Sequence, residues 1–117
     1  MSRSDDAKRA GPLSGLRVLE FGQIAAGPYL GMLLADLGAD VVKVERPDGG
    51  DGMRDWPPLM AAEGADDAPR FSGNFASLNR NKRSIAVDLK DPGELQRLRA
   101  LCTRADVIVE NFRPGVL

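Results

Sequence analysis

The sequence predicts an α/β fold built on a mostly parallel sheet, with elements in the order β-α-β-loop-β-α-β. Two observations support this class. Short apolar runs of strand length recur along the chain, and each neighbouring pair encloses a segment whose apolar residues have helical spacing. The first such unit occupies residues 16–45 and the second occupies residues 84–110. A strand, a crossover helix and a second strand in close succession are typical of a right-handed βαβ unit, whose strands are parallel.

The first unit begins with Leu16–Phe21, a short and mostly apolar run that suits a buried parallel strand. A helix is predicted from Pro28, a residue favoured at the first helical position, to Gly38, a residue favoured at a helix end. This helix is apolar on nearly all sides, so we expect it to be well buried. Asp40–Glu45 follows directly as the second strand.

The segment Arg46–Asn79 has no regular periodicity and is rich in Pro and Gly, which interrupt helices and strands. So long an irregular segment is unusual in a compact domain, and it indicates either a functional loop or one covered by a partner. In its second half, Phe71, Phe75 and Leu78 are predicted to form a short helix that caps the core.

The second unit begins with the predicted strand Ser84–Leu89. Asp91 is predicted to cap the next helix, with Pro92 as its first residue and Glu94 completing a capping box. Asp106–Glu110 is the fourth predicted strand. Parallel sheets normally bury both faces, and two helices are expected to leave one face poorly covered. The sequence therefore predicts a fragment, or a subunit that a partner completes.

Length and composition agree with a single globular domain. The chain has 117 residues, of which 43% are hydrophobic and 28% charged. No apolar run reaches the length needed to span a bilayer, so no membrane association is expected. Residues 1–12 are predicted to be a flexible leader without the apolar core of a secretory signal, and residues 13–117 to form the folded part. A cytoplasmic location follows as the expectation.

Charge and residue usage exclude several functions. The formal net charge is −1, which provides no overall basic field for nucleic acid. The chain has no His and one cysteine, Cys102, so it predicts no internal disulfide and no zinc site. Ser-His-Asp and Cys-His catalysis are excluded for the same reason. Any chemistry must come from carboxylates, Lys, Arg, amides or a bound cofactor.

Two groups of candidate residues follow the first two strands, at the edge where open α/β sheets bind ligands. Gly22 and Gly27 have the spacing of a P-loop, but the Pro28-Tyr29 pair replaces its Lys-Ser/Thr. The turn is therefore either an anion site at a helix N-terminus or a tight turn of small residues. Glu45 lies about 20 residues after Gly22, where dinucleotide-binding units place a ribose-binding acid. Alternatively, Glu45 and the following Arg46 form a solvated charge pair.

Two further groups carry polar side chains. The cluster Asn79–Ser84 contains three cations and two amides, which suit phosphate or form a solvated charge run. It lacks the interleaved aromatic residues of nucleic-acid platforms, so no nucleic-acid partner is expected. After the fourth strand, Asn111 and Phe112 offer an amide and a ring to a heterocycle, unless Phe112 packs into the sheet edge.

Three stretches together resemble the class III coenzyme A transferases, the CaiB/BaiF-like family, which includes formyl-CoA and carnitine-related transferases and has α-methylacyl-CoA racemase as a relative. The stretches are LSGLRVLEFGQIAAGPYLGMLLADLGADVVKVERPDGGD at 13–51, NRNKRSIAVDLK at 79–90 and ADVIVENFRPGVL at 105–117. They follow the order and spacing of the family. The resemblance implies that residues 13–117 are the N-terminal part of a Rossmann-like, CoA-binding domain in a two-domain enzyme.

The resemblance also implies a reaction and an assembly. Transferases of this family move CoA from an acyl-CoA to a carboxylic acid, through an acyl anhydride and a thioester on a catalytic Asp, without a metal. Two subunits interlock as a homodimer. The catalytic Asp lies in a later segment of the family, and no aspartate of this chain matches its motif, so the chain itself is expected to be inactive. The acid-base residues of the racemase relatives also lie later, which leaves transferase and racemase as alternatives.

By resemblance, the turn after the first strand would line the CoA entry, and Arg46 would meet the nucleotide phosphates. The segment 78–83 would flank the cofactor, with Lys82 and Arg83 as phosphate or structural contacts, and the residues after the fourth strand would lie near adenine and pantetheine. Formyl-CoA transferases carry Gln at the position of Ala25, which argues against that branch. The predicted CoA-binding residues are Ile24, Ala25, Ala26, Arg46, Leu78, Asn79, Lys82, Arg83, Asn111 and Phe112.

Two other functions stay open from the residues alone. The chain is either part of such an enzyme or a binding module that holds CoA or a nucleotide without catalysis. A more distant alternative is a dinucleotide-dependent oxidoreductase that uses Glu45 to bind ribose. Titration with NADH and with CoA separates this last alternative from the other two.

Overall fold

The computed structural model describes residues 11–61 and 70–117. A parallel sheet contains β1 (Arg17–Glu20), β2 (Asp40–Glu45), β5 (Arg83–Ala86) and β6 (Val107–Val109), in the order β5-β2-β1-β6. A short antiparallel ribbon pairs β3 (Leu59–Met60) with β4 (Phe71–Ser72). The helices are α1 (Ala26–Asp36), α2 (Gly73–Asn79) and α3 (Pro92–Cys102). The predicted α/β class with a mostly parallel sheet is confirmed.

The strand order creates a crevice beside β1. The chain runs outward from β1 to β2 and β5, and then crosses to place β6 on the other side of β1. The crossover through α1 therefore leads outward from β1 to β2, and the crossover through α3 leads back from β5 past β1 to β6. In open α/β sheets, ligands bind at this reversal, outside the carboxyl ends of the strands.

Each face of the sheet carries one helix. Successive strand residues point to opposite faces, so neighbouring residues of β1 contact different helices. Val18 packs with Ala35 of α1 on one face. Leu19 packs with Leu98 of α3 on the other. The expectation that two helices leave one face poorly covered is met on the α3 side, where Leu101 and Ile108 are 41% and 46% exposed.

Helix α1 differs from its prediction in two ways. It begins at Ala26, so Pro28 lies inside the first turn. The N–H groups of the first turn have no intrahelical partner, so the helix loses no hydrogen bond there because of proline. It is also not buried on all sides: Leu30 and Leu33 within it are 45% and 40% exposed, and Leu37 directly after it is 46% exposed. A helix on a sheet buries one stripe only, and no described residue covers the leucine side. The predicted stop is confirmed, since Gly38 has a φ of 103°.

The central segment contains more structure than its composition predicts. A 3-10 helix spans Gly52–Asp55 and is capped by Asp51, whose carboxylate accepts from the N–H of Met53. A short helix is confirmed as α2, which contains Phe75 and Leu78 and is capped by the Ser72 hydroxyl, but Phe71, also predicted in it, lies in β4. Local capping thus supplies order where no apolar period exists. Residues 62–69 of this segment, and residues 1–10 of the predicted leader, lie outside the described residues.

The second unit follows its prediction closely. Asp91 caps α3 by accepting from the N–H groups of Gly93 and Glu94. The reciprocal half of the capping box is absent, because the Asp91 N–H donates instead to the carbonyl of Asp88. That same Asp88 turn ends β5 earlier than predicted, since its carboxylate accepts from the N–H of Lys90. None of the helices in 11–61 and 70–117 is long and apolar enough to cross a membrane.

Candidate functional site

A cleft of about 200 Å³ opens at the carboxyl ends of β1 and β2. Its walls combine apolar side chains with two cations, two carboxylates and one amide. The carboxylate of Glu45 is already paired with Arg54, so the two cations exceed the one remaining carboxylate, and the lining suits a ligand that carries an apolar or aromatic group and negative charge. The apolar residues are Phe21, Val44, Pro47, Val87, Leu89 and Phe112, and the polar ones are Gln23, Glu45, Arg46, Asp88 and Lys90.

Arg46 lies at the mouth of this cleft because it directly follows the last residue of β2. Its Nε donates to the carbonyl oxygen of Gly50 at 2.9 Å, which orients the guanidinium group. The side chain is nevertheless exposed to solvent. An oriented, exposed guanidinium suits a phosphate or a carboxylate.

Phe112 meets the cleft from the far side. Its ring is half-buried and packs against the apolar cluster that also contains Leu19 and Leu98. The prediction that the ring packs into the sheet edge is therefore confirmed, and the ring also lines the cleft.

The side-chain amide of Asn111, after β6, bonds the backbone of Gln23, after β1. The N–H of Gln23 donates to Oδ1 of Asn111 at 2.9 Å, and Nδ2 of Asn111 donates to the carbonyl of Gln23 at 3.0 Å. Gly22 and Gly27 pack against each other here, because a Cβ on either would lie 2.7 Å from the Cα of the other. The two glycines therefore serve close packing, which favours the tight-turn interpretation over a P-loop.

The turn between β1 and α1 has an unusual backbone at Ile24, whose φ is 65°. Left-handed backbone is rare for a β-branched residue. The N–H of Ile24 donates to both carboxylate oxygens of Asp51, at 3.1 and 3.3 Å. Ala25 and Ala26 follow with exposed small side chains, and no side chain caps the helix at Ala25. The start of α1 is therefore open to solvent.

A buried charge network lies beneath this turn, on the α1 face of the sheet. Lys43 is 1% exposed, and its Nζ lies 2.9 Å from Glu20 and 3.0 Å from Asp51. It also donates to the carbonyl of Gly22 at 2.9 Å. Lys82 donates to the second oxygen of Glu20. Burial lowers the pKa of Lys82, and the ion pair with Glu20 opposes that shift. Two carboxylates and two ammonium groups thus balance inside the protein.

Glu45 is held by a second set of internal donors. Nε and Nη2 of Arg54 each lie 2.7 Å from its carboxylate, and the Ser84 hydroxyl and the Asp51 N–H also donate to it. Burial raises the pKa of Glu45, but these hydrogen bonds outweigh it and lower the pKa to about 2. Both oxygens are engaged within the protein, so the arrangement disfavours the ribose-binding role that its position suggested.

The structure brings some predicted site residues together and separates others. The turn 24–26, Arg46, Asn111 and Phe112 meet at the carboxyl edge of the sheet. The segment 78–83 is divided between two places. Arg83 enters β5 at the amino side of the sheet and pairs with Asp40. Lys82 instead reaches the carboxyl end of β1, where it contacts Glu20, and it donates to the carbonyl of Pro28 at 2.9 Å and to Oδ1 of Asn79 at 2.7 Å.

Sequence reasoning missed four residues of this region. Glu20 and Lys43 occupy positions in otherwise apolar strands, and a charge at such a position signals a buried partner. Asp51 and Lys90 lie in loops, where no pattern distinguished them. The described residues contain no group of three acidic or Cys side chains that could hold a metal ion.

Comparison with known proteins adds evidence of another kind. Residues 13–117 match the sequence profile of the family described as CoA-transferase family III. The chain is 46% identical to the succinate–glutarate CoA-transferase of Agrobacterium fabrum, over 94% of this chain and 27% of that protein. It is 50% identical to the succinyl-CoA:mesaconate CoA-transferase of Haloarcula hispanica, over 92% of this chain and 26% of that protein.

A solved structure gives the same result. The fold superposes on a CaiB/BaiF family protein from Brucella suis with a TM-score of 0.81 and 44% identity, over 90% of this chain and 27% of that protein. The chain therefore spans about a quarter of the length of the relatives it matches.

Proposed function

We propose, on the premise that this chain belongs to CoA-transferase family III, that it forms the N-terminal, CoA-binding part of an enzyme that moves CoA between carboxylic acids. One observation carries the proposal. Arg46 and Lys90 stand at the rim of a cleft floored by Phe112, at the carboxyl edge where the strand order reverses.

The cleft matches the nucleotide end of CoA. Ligand pockets for whole small molecules measure about 300–1,000 Å³, so a cleft of about 200 Å³ accommodates one end of CoA rather than all of it. The adenine would lie against the apolar floor and Phe112, and the phosphates would meet Arg46 and Lys90. The neutral pantetheine arm would then leave along the turn at Ile24, Ala25 and Ala26 toward the open start of α1.

The segment 78–83 has a different proposed role. The charges of Lys82 and Arg83 are already matched by Glu20 and Asp40, so we assign both cations to structural contacts. Leu78 and Asn79 remain proposed neighbours of the cofactor, through their position at the end of α2.

The chemical step belongs to residues outside this chain. A CoA-transferase of this family would form its thioester on an aspartate that none of the aspartates here matches, so we expect no turnover from the 117-residue chain alone. The relatives named above are transferases, which supports a transferase over a racemase. We also propose the interlocked homodimer of the family, for which the exposed leucines of α1 offer apolar surface.

Calorimetric titration of the chain with CoA and with NADH tests the binding proposal. Saturable binding of CoA supports it. Tight binding of NADH without binding of CoA would instead identify a dinucleotide-binding module. Acyl exchange between an acyl-CoA and a free acid by the purified chain would contradict the assignment of the nucleophile to another segment.

A further inference from the structure

We infer that Asp51 is a positioning residue, whose buried carboxylate holds the turn between β1 and α1 in the conformation that the ligand-binding edge requires. The inference depends on the proposed function only for the identity of the ligand. Its structural part concerns the backbone of Ile24, which can be tested without any ligand.

Asp51 joins two segments that lie far apart in the chain. Its side chain is 0% exposed. Oδ1 accepts from the N–H of Ile24 at 3.1 Å and from the N–H of Met53 at 3.0 Å, while Oδ2 lies 3.0 Å from Nζ of Lys43. Ile24 and Asp51 are 27 positions apart. One carboxylate therefore ties the turn after β1 to the loop after β2.

The turn needs such a restraint because Ile24 is left-handed. A branched side chain disfavours this backbone, and Ile has no polar group that could compensate locally, as Asn or Asp can. Strained backbone persists only where the surroundings over-determine it. Asp51 is the side chain that bonds the strained residue itself, whereas Lys43 and Asn111 bond the neighbouring Gly22 and Gln23.

The charge of Asp51 matters as well as its shape. Lys43 is shared between Asp51 and Glu20, and Lys82 contacts the other oxygen of Glu20. Removing the negative charge at Asp51 leaves this buried group with an excess ammonium. Asp51→Asn keeps an acceptor for the N–H of Ile24 but loses the ion pair with Lys43, so the carboxamide holds the turn less firmly than the carboxylate does.

A double-mutant cycle with Ile24→Gly separates positioning from general stabilisation. Glycine adopts positive φ without strain, so it needs the restraint far less than isoleucine does. We expect Asp51→Asn to weaken CoA binding about tenfold with Ile24 present, which corresponds to about 1.4 kcal/mol. The same change should weaken binding much less in the Ile24→Gly background. A residue that only stabilises the fold would lower affinity equally in both backgrounds.

Amide hydrogen exchange supplies the readout without ligand. In Asp51→Asn, the N–H groups of residues 22–24 should exchange at least tenfold faster while the N–H groups of α3 keep their protection. Asp55→Asn is the matched control, since Asp55 lies exposed in the same 3-10 helix and should change neither exchange nor affinity.

Each outcome decides one claim. If the parent chain binds no CoA, the proposed function fails, and the positioning role of Asp51 is tested by amide hydrogen exchange alone. Unchanged protection at Ile24, or equal losses in both backgrounds, would overturn the positioning role. If Asp51→Asn alone does not fold, Lys43→Gln is added in both backgrounds to restore the buried charge balance, and equal losses of affinity in the two backgrounds would then overturn the positioning role.

Discussion

The side-chain amide of Asn111 bonds both the N–H and the carbonyl of Gln23, at 2.9 and 3.0 Å. The two residues are 88 positions apart. They meet because β6 returns to pair with β1 after the chain has built the other side of the sheet. This pair therefore positions the first turn of the chain relative to its last strand, directly beside the proposed CoA cleft.

Asn111→Ala should destabilise the fold and loosen the cleft. It removes two hydrogen bonds, each worth about 0.5–1.5 kcal/mol, so the free energy of unfolding should fall by about 1–3 kcal/mol. Urea denaturation measures this loss. Asn74→Ala is the control, because the side chain of Asn74 makes one exposed hydrogen bond, to the carbonyl of Pro57. An equal or smaller loss at Asn111 would contradict the account.

Arg46→Ala should weaken the binding of CoA more than the binding of a pantetheine analogue. CoA carries phosphate charges that the analogue lacks, and one charge-assisted contact is worth about 1.5–3 kcal/mol, or about tenfold to a hundredfold in affinity. Titration calorimetry with both ligands makes the comparison. Arg97→Ala, on the exposed side of α3, should change neither affinity. If Arg46 only orders the loop through Gly50, both ligands would lose affinity equally.

Gly31→Ala should destabilise the protein although alanine is the better helix former. A Cβ at Gly31 would lie 2.1 Å from Oε1 of Glu20, inside the buried charge network. Overpacking of this kind costs about 1–3 kcal/mol. At Gly93 in α3 the nearest atom would lie 3.4 Å away, so Gly93→Ala should be neutral or stabilising. Thermal unfolding of the two variants tests the difference, and a stabilised Gly31→Ala would refute the packing at Glu20.

Acid should remove a stabilising contribution from Glu45. Its pKa is about 2 in the folded protein and 4.5 ordinarily, so the folded state binds the proton less readily than the unfolded state. The contribution, about 3 kcal/mol, is therefore present above pH 4.5 and is lost as the pH falls toward 2. Urea denaturation at pH 7 and pH 3 should show a smaller pH dependence in Glu45→Gln than in the parent chain.

Asp48→Asn provides the control for this experiment, since Asp48 is exposed in the loop that follows β2. Its pH dependence should match that of the parent chain. A Glu45→Gln variant with the full pH dependence of the parent would show that other carboxylates carry the effect.

The fold could be predicted from apolar periodicity and helix capping, which are local in the sequence. The site could be predicted only in part, because its ion pairs join side chains from separate segments. The apolar residues Val18 and Leu19 indicate a buried strand, and Asp91 indicates a helix start because it caps the N–H groups that follow it. By contrast, the partner of Lys43 comes from a loop eight residues on, and no periodic pattern encodes that contact. Lys82 looked like a phosphate ligand for the same reason, because the sequence does not show that Glu20 lies beneath it.

Mapping CoA onto the chain by backbone amide chemical shifts tests the central claim most directly. We expect saturable shifts that concentrate at Gln23, Arg46, Lys90 and Phe112, around the cleft at the carboxyl edge of the sheet. NADH, added in the same way, should leave these shifts small. Shifts that concentrate at Arg83 and Asp40 at the amino side of the sheet, or tight NADH binding without CoA binding, would contradict it.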